Sequence, residues 1–359
     1  MAESNGWHGD VIVVGAGPAG CATAATLARL GATVAIVDDG RRPAWPGETL
    51  PGGSTAVIND VFGDGILDPH QQAYGVQSAW ETEDLQMTDG LANPLGEGWL
   101  LDRRIFDTDA REAAIRQGAY HLIGHARVHR DADSCWRVEV AGHRLRAPVI
   151  IDATGRSAAI ARRAGAGLER AERLLACIVT VDDPGDPVQA TTVESVADGW
   201  WYSTPTPSGG RVLALVSDQA IVPRGIGRSE WWLTSLEHTR HIRGLISTPI
   251  TIDTAAAHLR VSRAGTGWLD HACGSGWVAV GDAAAHFDPL SSQGLLTGIL
   301  MGARAAIAIA ENTLEEWSLD YRMIVDEHRE LANHYYGSVE RWQTSSFWST
   351  RASRVLGVR

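Results

Sequence analysis

The chain has 359 residues, 44% of them hydrophobic and 21% charged, with a formal net charge of −12. That length exceeds one ordinary core and fits two interleaved or consecutive domains, and the composition excludes a mostly disordered chain. The acidic balance disfavours nucleic acid and anionic membrane surfaces as main partners.

No run of roughly 18 uninterrupted apolar residues occurs, so no membrane-spanning helix is expected. Met1 to Asp10 lacks a basic-then-apolar signal pattern, so secretion is not expected. Cys21, Cys135, Cys177 and Cys273 form no CxxC pair, which fits a reducing cytoplasm. All 31 basic residues are Arg; the sequence contains no Lys. Schiff-base catalysis and a Walker-type phosphate lysine are therefore excluded. The 14 Trp against 4 Phe and 6 Tyr point to aromatic packing in the core or between domains.

Asp10 to Asp39 reads as a βαβ unit. Val11-Ile12-Val13-Val14 is the continuous apolar run of a strand buried on both faces of a parallel sheet. Gly15, Gly17 and Gly20 follow at GxGxxG spacing, and the Ala-rich stretch from Cys21 to Leu30 is predicted helical, ended by Gly31. Thr33 to Val37 is the second predicted strand, with Asp38 at its end. Arg41 to Gly53, RRPAWPGETLPGG, reads as an ordered loop. Arg103 to Ala119 is a predicted helix with Phe106, Ala110, Ala113 and Ala114 on one face. Cys135 to Val140 and Arg144 to Ile151 alternate like a hairpin around Ala141-Gly142, the second strand running into Asp152. From Gly165 to Arg263, short β-like runs separated by Pro/Gly turns point to an inserted antiparallel sheet. Trp277 to Val280 is again a buried parallel strand, Gly294 to Glu311 a long Ala-rich helix, and the rest to Arg359 helical.

The glycine fingerprint has a strand before it, a helix after it and an acid about 20 residues on. Gly15 permits the tight turn, Gly17 lets the backbone approach a pyrophosphate, and Gly20 lets helix and strand pack closely. Ala16, Pro18 and Ala19 complete this phosphate loop, where the helix N-terminus offers amides and partial positive charge. Asp38, with Asp39 beside it, is placed for the adenosine ribose hydroxyls. This motif alone is compatible with NAD or FAD.

The late segment Gly281-Asp282-Ala283-Ala284-Ala285-His286-Phe287-Asp288-Pro289-Leu290-Ser291-Ser292-Gln293-Gly294 separates the two. It resembles the corresponding segment of the flavoprotein group of aromatic hydroxylases, flavin-dependent tryptophan halogenases and geranylgeranyl reductases. The resemblance implies that Asp282 binds the ribityl hydroxyls. It also implies that the helix beginning near Ser292, Gln293, Gly294 and Leu295 points its N-terminus at the isoalloxazine. Free amides there would stabilise an anionic reduced ring. Asp152-Ala153-Thr154-Gly155-Arg156-Ser157 resembles the same group's DxxGRxS segment near the pyrophosphate. Leu101-Asp102-Arg103-Arg104-Ile105-Phe106-Asp107 resembles its RxxFD helix start, with Arg103 approaching the flavin nucleotide.

Gly199-Trp200-Trp201-Tyr202-Ser203-Thr204-Pro205 lies where tryptophan halogenases carry WxWxIP; Trp200 and Pro205 match, Tyr202 and Thr204 do not. The halogenase lysine expected after Pro46-Gly47-Glu48-Thr49 is missing, which disfavours halogenation. GETLP, GWWYSTP, DPLSSQGL and the terminal Glu340-Arg341-Trp342 and Ser346-Phe347-Trp348 together resemble a narrower subfamily. Its members are flavoprotein maturases of tryptophan-derived quinone cofactors in amine oxidases and dehydrogenases, with close monooxygenase relatives. That likeness implies oxygen insertion into an indole ring, free, carrier-bound or within a peptide or protein.

The expected architecture is α/β: a Rossmann-like FAD-binding domain of residues 1–75, 98–164 and 266–314. A substrate domain of antiparallel sheet comprises residues 76–97 and 165–265, and C-terminal helices residues 315–359. The expected reaction is an FAD-dependent monooxygenation of an electron-rich indole or phenol through a flavin 4a-hydroperoxide. Glu48 is the candidate base. Pro289, Ser291 and Ser292 are candidates for the reacting face, and Glu48 and Thr49 also for lining the flavin. Trp200, Tyr202, Pro205 and His286 are the candidate substrate contacts.

His121, His125 and His129 have helical spacing, but Gly124 and the ARVHR text favour strand and turn, so no metal site is expected. Cys21 reads as a small buried residue. The electron donor stays open between NAD(P)H bound directly and a separate flavin reductase, with molecular oxygen as co-substrate. A dehydrogenase or ene-type reductase, a non-catalytic flavin-binding assembly factor and a halogenase without its lysine are the competing readings.

Overall fold

The computed structural model describes residues 6–41, 47–89, 95–182, 190–225 and 227–355. Positions 42–46 of the Arg41–Gly53 loop, residues 1–5 of the N-terminal stretch and 356–359 of the C-terminal one lie outside the described residues.

A six-stranded sheet has the order Cys273–Gly274, Trp277–Ala279, Val149–Asp152, Val11–Val14, Val34–Asp38, Tyr120–Ile123. Its pairings are parallel apart from that of Cys273–Gly274 with Trp277–Ala279. Val11–Val14 is buried at every position, as a strand covered on both faces must be. The helix Pro18–Arg29 follows, with Pro at its first turn, and Gly31 at φ +90° turns the chain out of it. The next strand runs one residue further than expected, so Asp38 is its last member. The helix Arg103–Arg116 is capped by Asp102, whose Oδ1 accepts the Arg104 and Ile105 amides at 2.8 and 3.4 Å. It buries the four residues foreseen for its apolar face.

The expected hairpin needs correction. Trp136–Val140 pairs with His143–Ala147, but Val149–Asp152 leaves for the parallel sheet. Pro148 stands between them; without an N–H it cannot continue a ladder.

A seven-stranded sheet has the order Arg260–Arg263, Leu174–Val181, Arg211–Asp218, Gly199–Pro205, Ala190–Val196, Gly75–Ala79, Gln86–Asp89. It is antiparallel except where Gly75–Ala79 joins Ala190–Val196. The stretch read as short β runs also contains the helices Gly227–Glu237 and Ile252–His258. These cover one face, where Trp232 donates its indole N–H to the Cys177 carbonyl at 2.9 Å and meets Trp201 edge to face. The helices Leu314–Gly337 and Ser346–Val355 bring Tyr336, Phe347 and Trp348 against Trp80 and Trp200 on the other. Trp200 and Trp201 thus face opposite sides, as neighbours in a strand do.

Gly294–Glu311 is long and apolar enough, by length and composition alone, to cross a membrane. It packs between the helices Pro18–Arg29 and Leu314–Gly337. Gly302 permits the first contact: a Cβ there would stand 2.4 Å from the Ala19 carbonyl oxygen.

Candidate active site

A cavity of about 570 Å³ lies between the carboxyl ends of three parallel strands and one face of the seven-stranded sheet. The strand Val11–Val14 leads into Gly17, Pro18, Ala19 and Gly20; Val149–Asp152 leads into Ala153, Gly155 and Arg156; and Trp277–Ala279 leads into Val280, Gly281 and Asp282. Clefts outside the carboxyl ends of adjacent strands are where open α/β sheets place ligands.

Two helix N-termini meet this space, those of Pro18–Arg29 and Gly294–Glu311, and neither has a side-chain cap. Their first-turn amides and dipoles therefore favour negative charge in the cavity. Close packing shapes the first end: Gly15 has φ +110°, and a Cβ on it would sit 2.1 Å from the Ala153 carbonyl oxygen. A Cβ on Gly20 would lie 2.0 Å from the Gly15 carbonyl oxygen, whereas one on Gly17 would meet nothing within 4 Å. Gly17 is thus open toward the space that a dinucleotide phosphate needs. At the second end Ser292 adopts φ +51° and lines the cavity.

Arg103 lines the same space and is clamped by two carboxylates. It donates to Glu48 Oε2 at 2.8 Å and to Asp107 at 3.0 and 3.2 Å. Burial works against the guanidinium charge, but Glu48 and Asp107 outweigh it and hold the group protonated well above its usual range. Glu48 is therefore the ion-pair partner of Arg103 in this cavity. Arg156 donates from Nε to Asp282 at 3.2 Å, joining two of the strand-end loops.

The sheet wall is built from cross-strand rows. Ala176, Val216 and Trp200 are neighbours on one row, Ile178, Ala214 and Tyr202 on the next, with Val212 beyond. No side chain of these seven is charged. Tyr202 donates to the Gly47 carbonyl at 2.8 Å, and its hydroxyl is pushed up to about 12 by burial and then by Glu48. The wall is joined to the turn at Pro289 by a chain of three groups. The Trp200 indole N–H donates to Tyr336 Oη at 2.9 Å, and Tyr336 Oη donates to Asp288 Oδ2 at 2.5 Å. Asp288 also accepts the Leu290 amide at 2.9 Å. Burial, reinforced by Glu172, pushes its carboxyl up to about 6 against the lowering by Tyr336 and Arg351.

The cavity gathers Gly17, Pro18, Ala19, Gly20, Glu48, Thr49, Arg103, Gly155, Trp200, Tyr202, Gly281, Asp282, Pro289, Ser292, Gly294 and Leu295 of the expected site. Gly15, Ala16, Asp38, Asp39, Thr154, Ser291, Gln293 and Pro205 are not among the residues that line it. Asp39 accepts the Arg41 amide at 2.9 Å, and Thr154 donates to Asp152 at 2.6 Å. His286 is not among the lining residues: it is buried, its ring lies against Gly267, and burial followed by Arg156 lowers it to about 4. Phe287, its neighbour, faces the cavity and stacks on His328 at 3.9 Å. Arg156, Phe287, Asp288 and Tyr336 were absent from the expected site. The first three stood inside segments already singled out; Tyr336 had no local signal. His121 and His129 lie on strands, and among the described residues no group of three or more metal-ligating side chains occurs.

Residues 10–64 match the family model described as FAD dependent oxidoreductase. The chain is 24% identical over 364 residues to the "Putative FAD-dependent oxidoreductase LodB" of Marinomonas mediterranea, covering 95% of this chain and 96% of that protein. It is 29% identical to the "Digeranylgeranylglycerophospholipid reductase 1" of Methanopyrus kandleri, covering 86% and 81%. Among solved structures, the peptidyl tryptophan dihydroxylase QhpG superposes with TM-score 0.77 at 24% identity, over 96% of this chain and 79% of that one. The flavin-dependent halogenase CmlS superposes with TM-score 0.82 at 20% identity, over 96% and 67%. The matched segment, these relatives and the two uncapped helix ends over one cavity agree: the chain is an FAD-dependent oxidoreductase with the fold shared by flavin-dependent hydroxylases and halogenases.

Proposed function

We propose that the chain hydroxylates an electron-rich aromatic ring, an indole presented within a peptide or on a carrier. The observation that carries this reading is the uncharged wall of Ile178, Trp200, Tyr202, Val212, Ala214 and Val216 facing the Pro289–Leu295 turn. A flat apolar ring gains by leaving water for such a surface, and aromatic neighbours add edge and face contacts. Free tryptophan would also bring an ammonium and a carboxylate, for which this wall offers no charged partner. QhpG, a peptidyl tryptophan dihydroxylase, acts on a substrate of the same kind.

FAD fits the cavity through its two ends. The Gly17–Gly20 loop and its helix amides would hold the pyrophosphate, Asp38 the adenosine ribose, and Asp282 the ribityl chain. The Ser292–Leu295 amides would face the ring. When reduced, FAD supplies the two electrons that activate molecular oxygen for transfer to carbon. The chain's own residues bind and orient. Arg103, fixed by Glu48 and Asp107, would hold the nucleotide; the sheet wall would exclude water and set the substrate ring against the turn. NAD(P)H, directly or through a flavin reductase, would be the reductant.

The test is mass spectrometry of a tryptophan-containing peptide incubated with the FAD-loaded protein and a flavin-reducing system. One added oxygen atom, dependent on air, supports the proposal; an unchanged peptide with full flavin content overturns it. The same apolar wall and the relatives described as reductases favour a second reading, reduction of an isoprenoid double bond. Turnover without oxygen on a prenyl substrate would support it. Bromide or chloride in the assay should give no halogenated product, since no lysine exists to hold an oxidised halide.

A further inference from the structure

Three carboxylates line the cavity, and two are occupied by cations: Glu48 by Arg103 at 2.8 Å and Asp282 by Arg156 at 3.2 Å. Asp288 makes no ion pair among the described residues. Its partners are the Leu290 amide and the neutral Tyr336 hydroxyl. A carboxylate has about four lone-pair positions, so two hydrogen bonds leave it able to accept a proton. It directly precedes Pro289 of the turn and is tied through Tyr336 to Trp200 of the facing wall, so it stands at the junction of the two surfaces between which a ring would sit.

We propose that Asp288 is the base of the site, accepting the proton from the ring carbon that has gained oxygen. This rests on the hydroxylase reading, in which molecular oxygen is the oxidant and a nicotinamide or reduced-flavin donor supplies two electrons. After the C–O bond forms, that carbon carries both hydrogen and oxygen. In the step assigned to Asp288 the C–H bond breaks, its electron pair returns to the ring and restores aromaticity, and the proton moves to a carboxylate oxygen. No electron leaves the substrate in this step. The proton then passes to solvent as product departs.

The charge state of Asp288 is set from several sides. Tyr336 and Arg351 act from the C-terminal helices and Glu172 from the segment before the strand Leu174–Val181; Arg351 is itself held by Asp218 at 2.9 and 3.0 Å. Burial raises the carboxyl into the range where a general base both ionises at neutral pH and takes a proton readily. Loss of the Tyr336 hydroxyl removes a donor that favours the charged form.

The experiment compares wild type, Asp288→Asn, Asp288→Glu and Tyr336→Phe, each loaded with FAD, on a peptide with ordinary or ring-deuterated tryptophan. Asp288→Asn should hydroxylate at least about 100-fold more slowly per bound flavin, the usual worth of a general base, and show a primary isotope effect absent from wild type. Asp288→Glu should recover part of the rate. Tyr336→Phe should move the acidic limb of the kcat profile upward from about pH 6. Cofactor-free protein offers a readout independent of turnover: a tryptophan-fluorescence titration near pH 6, lost in Asp288→Asn. Wild-type turnover in Asp288→Asn without an isotope effect, or an unmoved profile in Tyr336→Phe, overturns this assignment while leaving the hydroxylase reading intact. Absence of oxygenated product from wild type overturns both.

Discussion

Tyr336 Oη donates to Asp288 Oδ2 at 2.5 Å while accepting the Trp200 indole N–H at 2.9 Å. One hydroxyl therefore satisfies two buried groups on different elements. Tyr336→Phe leaves the Trp200 N–H without an acceptor, and an unsatisfied buried polar group costs about 1–3 kcal/mol. Urea unfolding should show a loss of that size, and Trp200→Phe should cost less in the Tyr336→Phe background than in wild type. Equal costs in the two backgrounds would show that the bond does not contribute.

The two ends of the glycine loop should respond differently to a methyl group. At Gly20 a Cβ would collide with the Gly15 carbonyl oxygen at 2.0 Å, so Gly20→Ala must displace helix from strand. At Gly17 the backbone is extended, with φ −74° and ψ 176°, and a Cβ meets nothing within 4 Å. Gly17→Ala should melt within a few degrees of wild type yet bind FAD at least about tenfold more weakly, the equivalent of about 1.4 kcal/mol of lost phosphate approach. Gly20→Ala should lose melting temperature and flavin together. Calorimetry paired with flavin titration separates the two.

Much of this cavity was legible because its glycine-rich end is made of local segments. A strand, a glycine turn and a helix start each carry their own pattern, and Gly15 to Gly20, Gly155 and Gly281-Asp282 could be read one at a time. Asp288 and Tyr336 are 48 positions apart, and Trp200 lies 136 before Tyr336. Their meeting depends on how the C-terminal helices dock on the sheet, which no periodicity encodes. His286 differs for a simpler reason. Ala285–His286 is a short strand, so adjacent side chains alternate, and Phe287 lines the cavity while the His286 ring packs against Gly267 of the neighbouring strand. The helix Gly227–Glu237 went unread because the Pro/Gly turns around it matched the punctuation of the strands on either side.

Glu48 offers a test of pairing against catalysis. Its carboxylate is bound to Arg103, which Asp107 also holds at 3.0 Å, so a neutral isostere leaves the guanidinium one carboxylate. Glu48→Gln should weaken FAD binding by about two- to fivefold, in keeping with a partly exposed ion pair worth up to about 1 kcal/mol. It should leave kcat at saturating FAD within a factor of about three, well short of the loss that removing a general base brings. A hundredfold fall in kcat at full flavin occupancy would instead make Glu48 the base.

His286 and Asp288 should give stability profiles of opposite slope. Asp288 is raised from 3.8 to about 6, so the fold favours its neutral form; the stability this lends is present below pH 3.8 and lost as pH rises through about 6. His286 is lowered from 6.5 to about 4, so the fold again favours the neutral form, but this stability is present above pH 6.5 and lost as pH falls through about 4. Between those limits the two nearly cancel in wild type, which should show a shallow dependence there. Substitution uncovers them. The stability difference between wild type and Asp288→Asn should fall from pH 4 to 7, and that between wild type and His286→Asn should rise. Each change should be up to about 3 kcal/mol, from about 1.4 kcal/mol per pKa unit. Urea midpoints at pH 4.5, 5.5 and 7 measure both, and two differences moving in the same direction would contradict the charge states assigned to this pair.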